Sequence, residues 1–142
     1  MPLLHDIKTA RRVVTTMLRS RRNRRAVAAL ESRHPHPAPG TIKIAVYFAD
    51  TKVNLYQVRQ WYAPLAEIAG DWPVAIISRS PSAVLALWDE APVPALYLRR
   101  VTDLERFVHE QDIHIVFYVN QNARNFQMFR YGGLWHTFIN HG

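Results

Sequence analysis

The sequence predicts an α/β protein: a doubly wound, mainly parallel five-stranded sheet of order 3-2-1-4-5, preceded by a basic helical arm. Three observations lead there. Five short apolar runs rich in β-branched and aromatic residues recur after Gly40. Segments with helical periodicity separate them, and strand–helix alternation with short connections means parallel strands joined by crossovers. The third is the distribution of charge, which divides the chain in two.

The first body element is TIKIAVYF (41–48), suited to a strand buried on both faces. Residues 53–69 follow with Leu55, Val58, Tyr62, Leu65 and Ile68 on one helical face, dented or split by Pro64 and stopped by Gly70. PVAIIS (73–78) is the second strand. Ser80-Pro81 then opens a helix with an N-cap and a proline at the first position, running to about Trp88. PALYL (94–98) is the third strand, and Thr102 caps the next helix with Glu105 at the capping-box position. IHIVFYV (113–119), a short helix over 123–131 ended by Gly132-Gly133, and LWHTFI (134–139) complete the series. The last strand has no helix after it, so one sheet edge is expected to stay uncovered.

The net charge is +7, and its location says more than its size. Residues 1–35 hold nine of the 18 Lys/Arg and only two of the 11 acids, so residues 36–142 are balanced at nine and nine. The chain therefore divides into a basic arm (1–33), a Pro-rich linker (34–40) and a Rossmann-like half-domain (41–142). Leu3, Ile7, Ala10, Val14 and Met17 form an apolar stripe predicting a helix over 3–18, with Lys8, Arg12 and Arg19 opposite. The stripe fails at RSRRNRR, where Arg21 and Arg25 replace apolar residues, and AVAAL resumes a helical composition.

Three roles suit this arm. It can pack on the domain by its apolar side. It can lie on an anionic membrane, with Lys8, Arg11, Arg12, Arg19, Arg21, Arg22, Arg24 and Arg25 facing lipid phosphates. It can bind nucleic acid, although no aromatic residue interleaves for base stacking and the neutral body offers no basic groove. A mitochondrial presequence has a similar composition and ranks last.

The chain has no cysteine, so disulfides and thiolate metal sites are excluded. No apolar run is long enough to span a membrane, and no apolar segment of secretory type opens the chain. At 49% apolar the chain is globular in composition. The loop after the first strand, ADTKVN, has no glycine, so no dinucleotide pyrophosphate is expected there. A phosphate-binding P-loop and a G-x-S-x-G elbow are also missing. Arg99-Arg100 occupy the place where a response regulator would carry its phospho-acceptor aspartate. The seven histidines show no metal-ligand spacing, and neither a metal nor a cofactor is expected.

In doubly wound sheets the working surface lies at the carboxyl ends of the strands, where strand order reverses. That rim should gather Asp50, Thr51 and Lys52 with Asn120, Gln121 and Asn122, and with Asn140, His141 and Gly142. His141 is either an idle loop histidine or a general base, since an imidazole takes a proton from a hydroxyl near neutral pH. Gly142 leaves space for a sharp turn or a close ligand.

FRYGGLWHTFINHG, after a βαβ half-domain and a basic amphipathic arm, resembles the CDP-glycerol glycerophosphotransferases, the teichoic-acid primases and polymerases of bacterial envelopes. The family's His-Gly at a strand end falls on His141 and Gly142, with Asn140 where the family often has Trp. The resemblance implies a two-domain GT-B fold of which residues 41–142 form the acceptor-side half. It implies His141 as base, with Gly142 beside it at the substrate; Asn120, Gln121, Asn122 and Asn140 are expected as acceptor contacts from their rim position alone. It further implies a lipid-linked acceptor at the cytoplasmic face of the plasma membrane. CDP-glycerol would be held by the other half, so the chain is expected to be truncated and inactive alone. The rival expectation is a non-enzymatic flavodoxin-like module recruited to membrane or RNA by its arm.

Overall fold

The computed structural model describes residues 2–139, and for residues 2–6 only the backbone. Five parallel strands form one sheet: β1 (Ile44–Phe48), β2 (Val74–Ser78), β3 (Ala95–Tyr97), β4 (Ile115–Tyr118) and β5 (Trp135–Phe138), in the spatial order β3-β2-β1-β4-β5. This is the predicted order. Val46 sits centrally, opposite Ile76 on one side and Phe117 on the other. Each strand is shorter than its apolar run; Ile42, for example, buries its side chain beside β1 while its N–H goes to the Gln111 side chain.

Alternation along β1 builds two cores. Ile44, Val46 and Phe48 pack with Leu55 and Val58 of α2 (Tyr56–Arg59), Leu65 of α3 (Tyr62–Ile68) and Ala83, Val84 and Leu87 of α4 (Pro81–Glu90). Ala45, Tyr47 and Ala49 pack with Leu104 and Phe107 of α5 (Val101–Glu110) and Met128 of α6 (Phe126–Phe129). Helices before β3 thus cover one face and those after it cover the other, which is the meaning of doubly wound.

Pro64 acts as predicted. The helical segment is cut at Gln60-Trp61, and α3 restarts so that Pro64 falls in its first turn, where no intrahelical donor is needed. The start of α5 differs from expectation. Arg100 is the N-cap, and the Asp103 carboxylate accepts its backbone N–H at 3.1 Å, leaving Thr102 inside the helix. An acid at the third helical position supplies the acceptor half of a capping box and also suits the helix dipole. The predicted helix over 123–131 is a 3₁₀ turn (Ala123–Asn125) followed by α6.

The arm departs most. It is one unbroken helix, α1 (Pro2–Leu30), followed by a 3₁₀ turn over Glu31–Arg33. The apolar stripe stops at residue 18, but arginine is a good helix former and no Gly or Pro intervenes. Thr15 and Thr16 turn their hydroxyls back to the carbonyls of Arg11 and Arg12, which keeps them compatible with the helix. The last turns dock on α4 through a face the stripe does not use. Val27 is buried there, Ser20 and Asn23 are half-buried, and His34 stacks on Trp88 at 4.4 Å. The linker is tied down as well. Gly40 adopts φ +74 and donates to the Glu110 carbonyl, while Gln111 accepts from Ile42 N and donates to the Ala38 carbonyl.

Candidate functional site

The carboxyl ends of the strands deliver polar loops to one edge. At the switch point, Asp50 follows β1 and Asn120 follows β4. The Asp50 carboxylate accepts Thr51 N and Asn54 Nδ2, both at 2.7 Å. Asn120 donates to Gln57 Oε1 at 3.0 Å, and its carbonyl accepts Asn125 Nδ2 at 2.8 Å. Asn120 is only 5% exposed. It braces the exit of β4 against that of β1. The Oδ1 atoms of Asn120 and Asn125 are buried without a partner, an arrangement that ordinarily costs free energy.

Gln121 and Asn122 lie on the other side of this brace, toward β5. With Asn125, Phe126, Phe129 and Phe138 they line a hollow of about 370 Å³. Asn122 Oδ1 accepts Arg124 N at 2.9 Å, which fixes the turn. Phe129 is held edge-on to Tyr118 and Phe126, at 5.2 and 5.5 Å, while Phe126 is itself 73% exposed. Behind the ring cluster, the Tyr118 hydroxyl donates to His136 Nδ1 at 2.7 Å, and His136 Nε2 donates to the Tyr131 carbonyl. Both ring nitrogens are thereby engaged, Nδ1 holding β5 to β4 and Nε2 holding it to the turn after α6. Burial raises the Tyr118 hydroxyl far above the ordinary tyrosine value, so it stays protonated. This hollow is amide and aromatic and carries no charged side chain. Such a lining suits an uncharged hydroxylated group: amides for hydroxyls, ring faces for C–H surface. Ile139 N bonds the Tyr118 carbonyl at 2.9 Å and carries the chain past the end of β5. Asn140, His141 and Gly142 lie outside the described residues.

A second, larger cavity of about 1160 Å³ lies on the β1–β3 side. Its floor is the carboxyl edge and its roof is α1. Arg19 and Arg24 reach it from the arm; Lys52, Arg79, Arg99 and Arg124 reach it from loops after β1, β2, β3 and β4. Asp89 is the single acid in the lining. Arg79 is the best fixed of the six. It donates to Gln127 Oε1, to the Tyr47 hydroxyl and to the Arg99 carbonyl, while its Nε is buried without a partner. Burial raises the hydroxyls of Tyr47 and Tyr97, opposed by the fields of Arg79 and of Arg99 and Arg24 respectively. This cavity is not evident from motifs. The signal that could have found it is a basic residue shortly after each of four successive strands.

Of the arm's basic residues, Lys8, Arg11, Arg12, Arg19, Arg21, Arg22 and Arg25 are exposed and Arg24 is half-buried. The apolar stripe is not packed on the domain. Ile7, Val13, Val14, Met17 and Leu18 are all exposed, Met17 to 61%. The apolar-side packing expected as one role of the arm is therefore not what docks it. The stripe points away from the docked face, and Arg21 and Arg25 continue its line toward the body.

Among the described residues no group of three or more His, Asp or Glu could hold a metal ion, and no helix is long and apolar enough to cross a membrane. Comparison of the chain with models of known families, with curated proteins and with solved structures finds no match.

Proposed function

We propose that this chain works at an anionic membrane surface as the acceptor-side domain of a transferase. By its resemblance to the glycerophosphotransferases, the group moved would be a polyol phosphate, glycerol phosphate from CDP-glycerol. The acceptor would be a lipid-linked envelope polymer at the cytoplasmic face of the plasma membrane. His141 would take the proton from the acceptor hydroxyl, and Gln121, Asn122 and the phenylalanines beside them would hold the polyol. A donor-binding domain of the family's kind would hold CDP-glycerol.

The observation that carries this reading is the arm. An exposed apolar stripe running into a cluster of arginines, on a helix docked by another face, is the arrangement that lies in a lipid headgroup region. Each basic residue near such a surface contributes about 1 kcal/mol. The docked end of the same helix overlies the carboxyl edge, so a membrane-bound arm would bring that edge close to lipid-linked substrate.

Two measurements test it. The full chain should sediment with vesicles containing phosphatidylglycerol and remain free of purely zwitterionic ones. Met17→Asp should weaken that binding at least tenfold, because it places a carboxylate in the apolar stripe. Equal binding to both vesicle types, or none, overturns the membrane role. In NMR titrations, a short glycerol-phosphate oligomer should shift the side-chain amides of Gln121 and Asn122. If it leaves them unmoved, the acceptor role falls and the rival binding module stands.

A further inference from the structure

We propose that the cavity between α1 and the carboxyl ends of β1–β3 is a phosphoryl-binding site, closed over its ligand by Arg19 and Arg24 of the arm. The site is separate from the neutral hollow beside β5, and the inference does not depend on what that hollow takes.

Six cations line this cavity against one carboxylate. Among the described residues none of the six has an ion-pair partner; the ion pairs present join Lys43 and His114 to Asp112, and Arg59 to Glu90. Like charges gathered round one cavity repel, so an anion bound there relieves a standing cost. Five of the six are arginines, whose planar forks match phosphate oxygens in pairs. Arg79 is held in place by neutral acceptors, which leaves its charge uncompensated. Its buried, unpaired Nε is what an empty anion site would show.

The first turn of α4 borders the same cavity through Ser80, Pro81 and Ser82. Ser80 is the N-cap residue, as expected, but its hydroxyl makes no capping bond. Its hydroxyl pairs with that of Ser82, leaving the positive end of α4 uncapped by a side chain. The volume exceeds what a single phosphate needs, so the site has room for a diphosphate or for a phosphate ester with part of its alcohol. A nucleic-acid strand fits less well, because α1 roofs the cavity and Tyr97 is the one aromatic ring in the lining.

A phosphoryl group could come from a soluble phosphate ester or from a lipid at the surface beside the arm. Calorimetric titration of the full chain with inorganic pyrophosphate reads the shared chemistry. Binding should weaken as salt rises. Arg99→Gln and Arg24→Gln should each lower affinity about tenfold, the scale of one lost charge-assisted hydrogen bond. Both side chains reach the cavity from outside the cores, and neither donates to the hydrogen bonds that hold Arg79. Arg19→Gln, at the outer end of the roof, gives a second reading from the arm.

The sources are then separated with vesicles. Pyrophosphate that displaces the chain from phosphatidic acid vesicles, but not from phosphatidylglycerol vesicles of equal charge, identifies a lipid phosphomonoester. Pyrophosphate binding without displacement identifies a soluble ester. Met17→Asp should leave pyrophosphate affinity unchanged, so failure of the membrane reading is distinguishable from failure of this one. The proposal is overturned if pyrophosphate does not bind, if Arg99→Gln and Arg24→Gln bind it as well as the parent chain, or if single-stranded RNA binds in preference.

Discussion

Two hollows open on the same edge of one sheet, and their linings are opposites. The one beside β5 is built of amides and phenylalanine rings and has no charged side chain. The one beneath α1 gathers six cations. Between them stands the brace of Asp50, Gln57 and Asn120, which joins the exits of β1 and β4. The backbone scaffold is the same on both sides, parallel strands ending in loops. The chemistry differs because the loops after β2 and β3 begin with arginine soon after the strand, whereas the loop after β4 begins Asn-Gln-Asn.

The largest test of that contrast is Val27→Asp. Val27 is 2% exposed where α1 meets α4, and an unpaired carboxylate there should cost about 3 kcal/mol or undock the roof. Urea denaturation reads the loss. Pyrophosphate binding should fall with it while the amide resonances of Gln121 and Asn122 stay in place. If they move, the two hollows are one coupled site.

Phe129→Ala works from the other side. The ring is half-buried against Tyr118, Phe126 and His136, and its removal should cost about 2 kcal/mol. It should reshape the neutral hollow and leave pyrophosphate affinity within twofold. A larger change would show that the brace transmits packing across the edge.

Trp88→Phe should cost about 1 kcal/mol, since it loses the indole N–H bond to the Ala95 carbonyl, 2.9 Å long, and part of the stack on His34. Hydrogen exchange in residues 20–30 should rise if that stack helps seat the roof.

The smallest effect is a pH dependence at the far end of α4. The hydrogen bonds from Arg59 hold the Glu90 carboxyl below its ordinary value of 4.5, with the Tyr62 hydroxyl adding to the effect. A carboxylate with a depressed folded value adds stability that is present above the ordinary value and is lost as pH falls through the folded one. Melting temperature should therefore drop below about pH 4.5 more steeply in the parent than in Glu90→Gln. The pair is largely exposed, so the difference should be small.

The sheet was legible because alternating strand and helix periods leave few topologies open, and Pro64 marked its own break. Cap positions were less so: Thr102 with Glu105 makes a plausible helix start, but Arg100 won because Asp103 could reach its N–H. The continuity of α1 was hidden because the stripe ends at residue 18 while helix propensity does not. Gln121 and Asn122, expected on the rim from position alone, line the neutral hollow there, whereas Asn120, read the same way, is a buried brace. The cationic cavity was not visible as a motif, since its members come from five separate segments that meet only after the sheet is wound.

Because α1 is a single rod, the angle of its apolar stripe about the helix axis is locked to the domain by the seat of Val27. Residues 2–18 extend about 25 Å at 1.5 Å per residue, and each residue turns the helix by about 100°. One alanine inserted after Leu18 would leave every side chain and every charge in the protein. It would swing the stripe by more than a quarter turn against the sheet. The arm's phase, as much as its composition, sets which way the carboxyl edge looks.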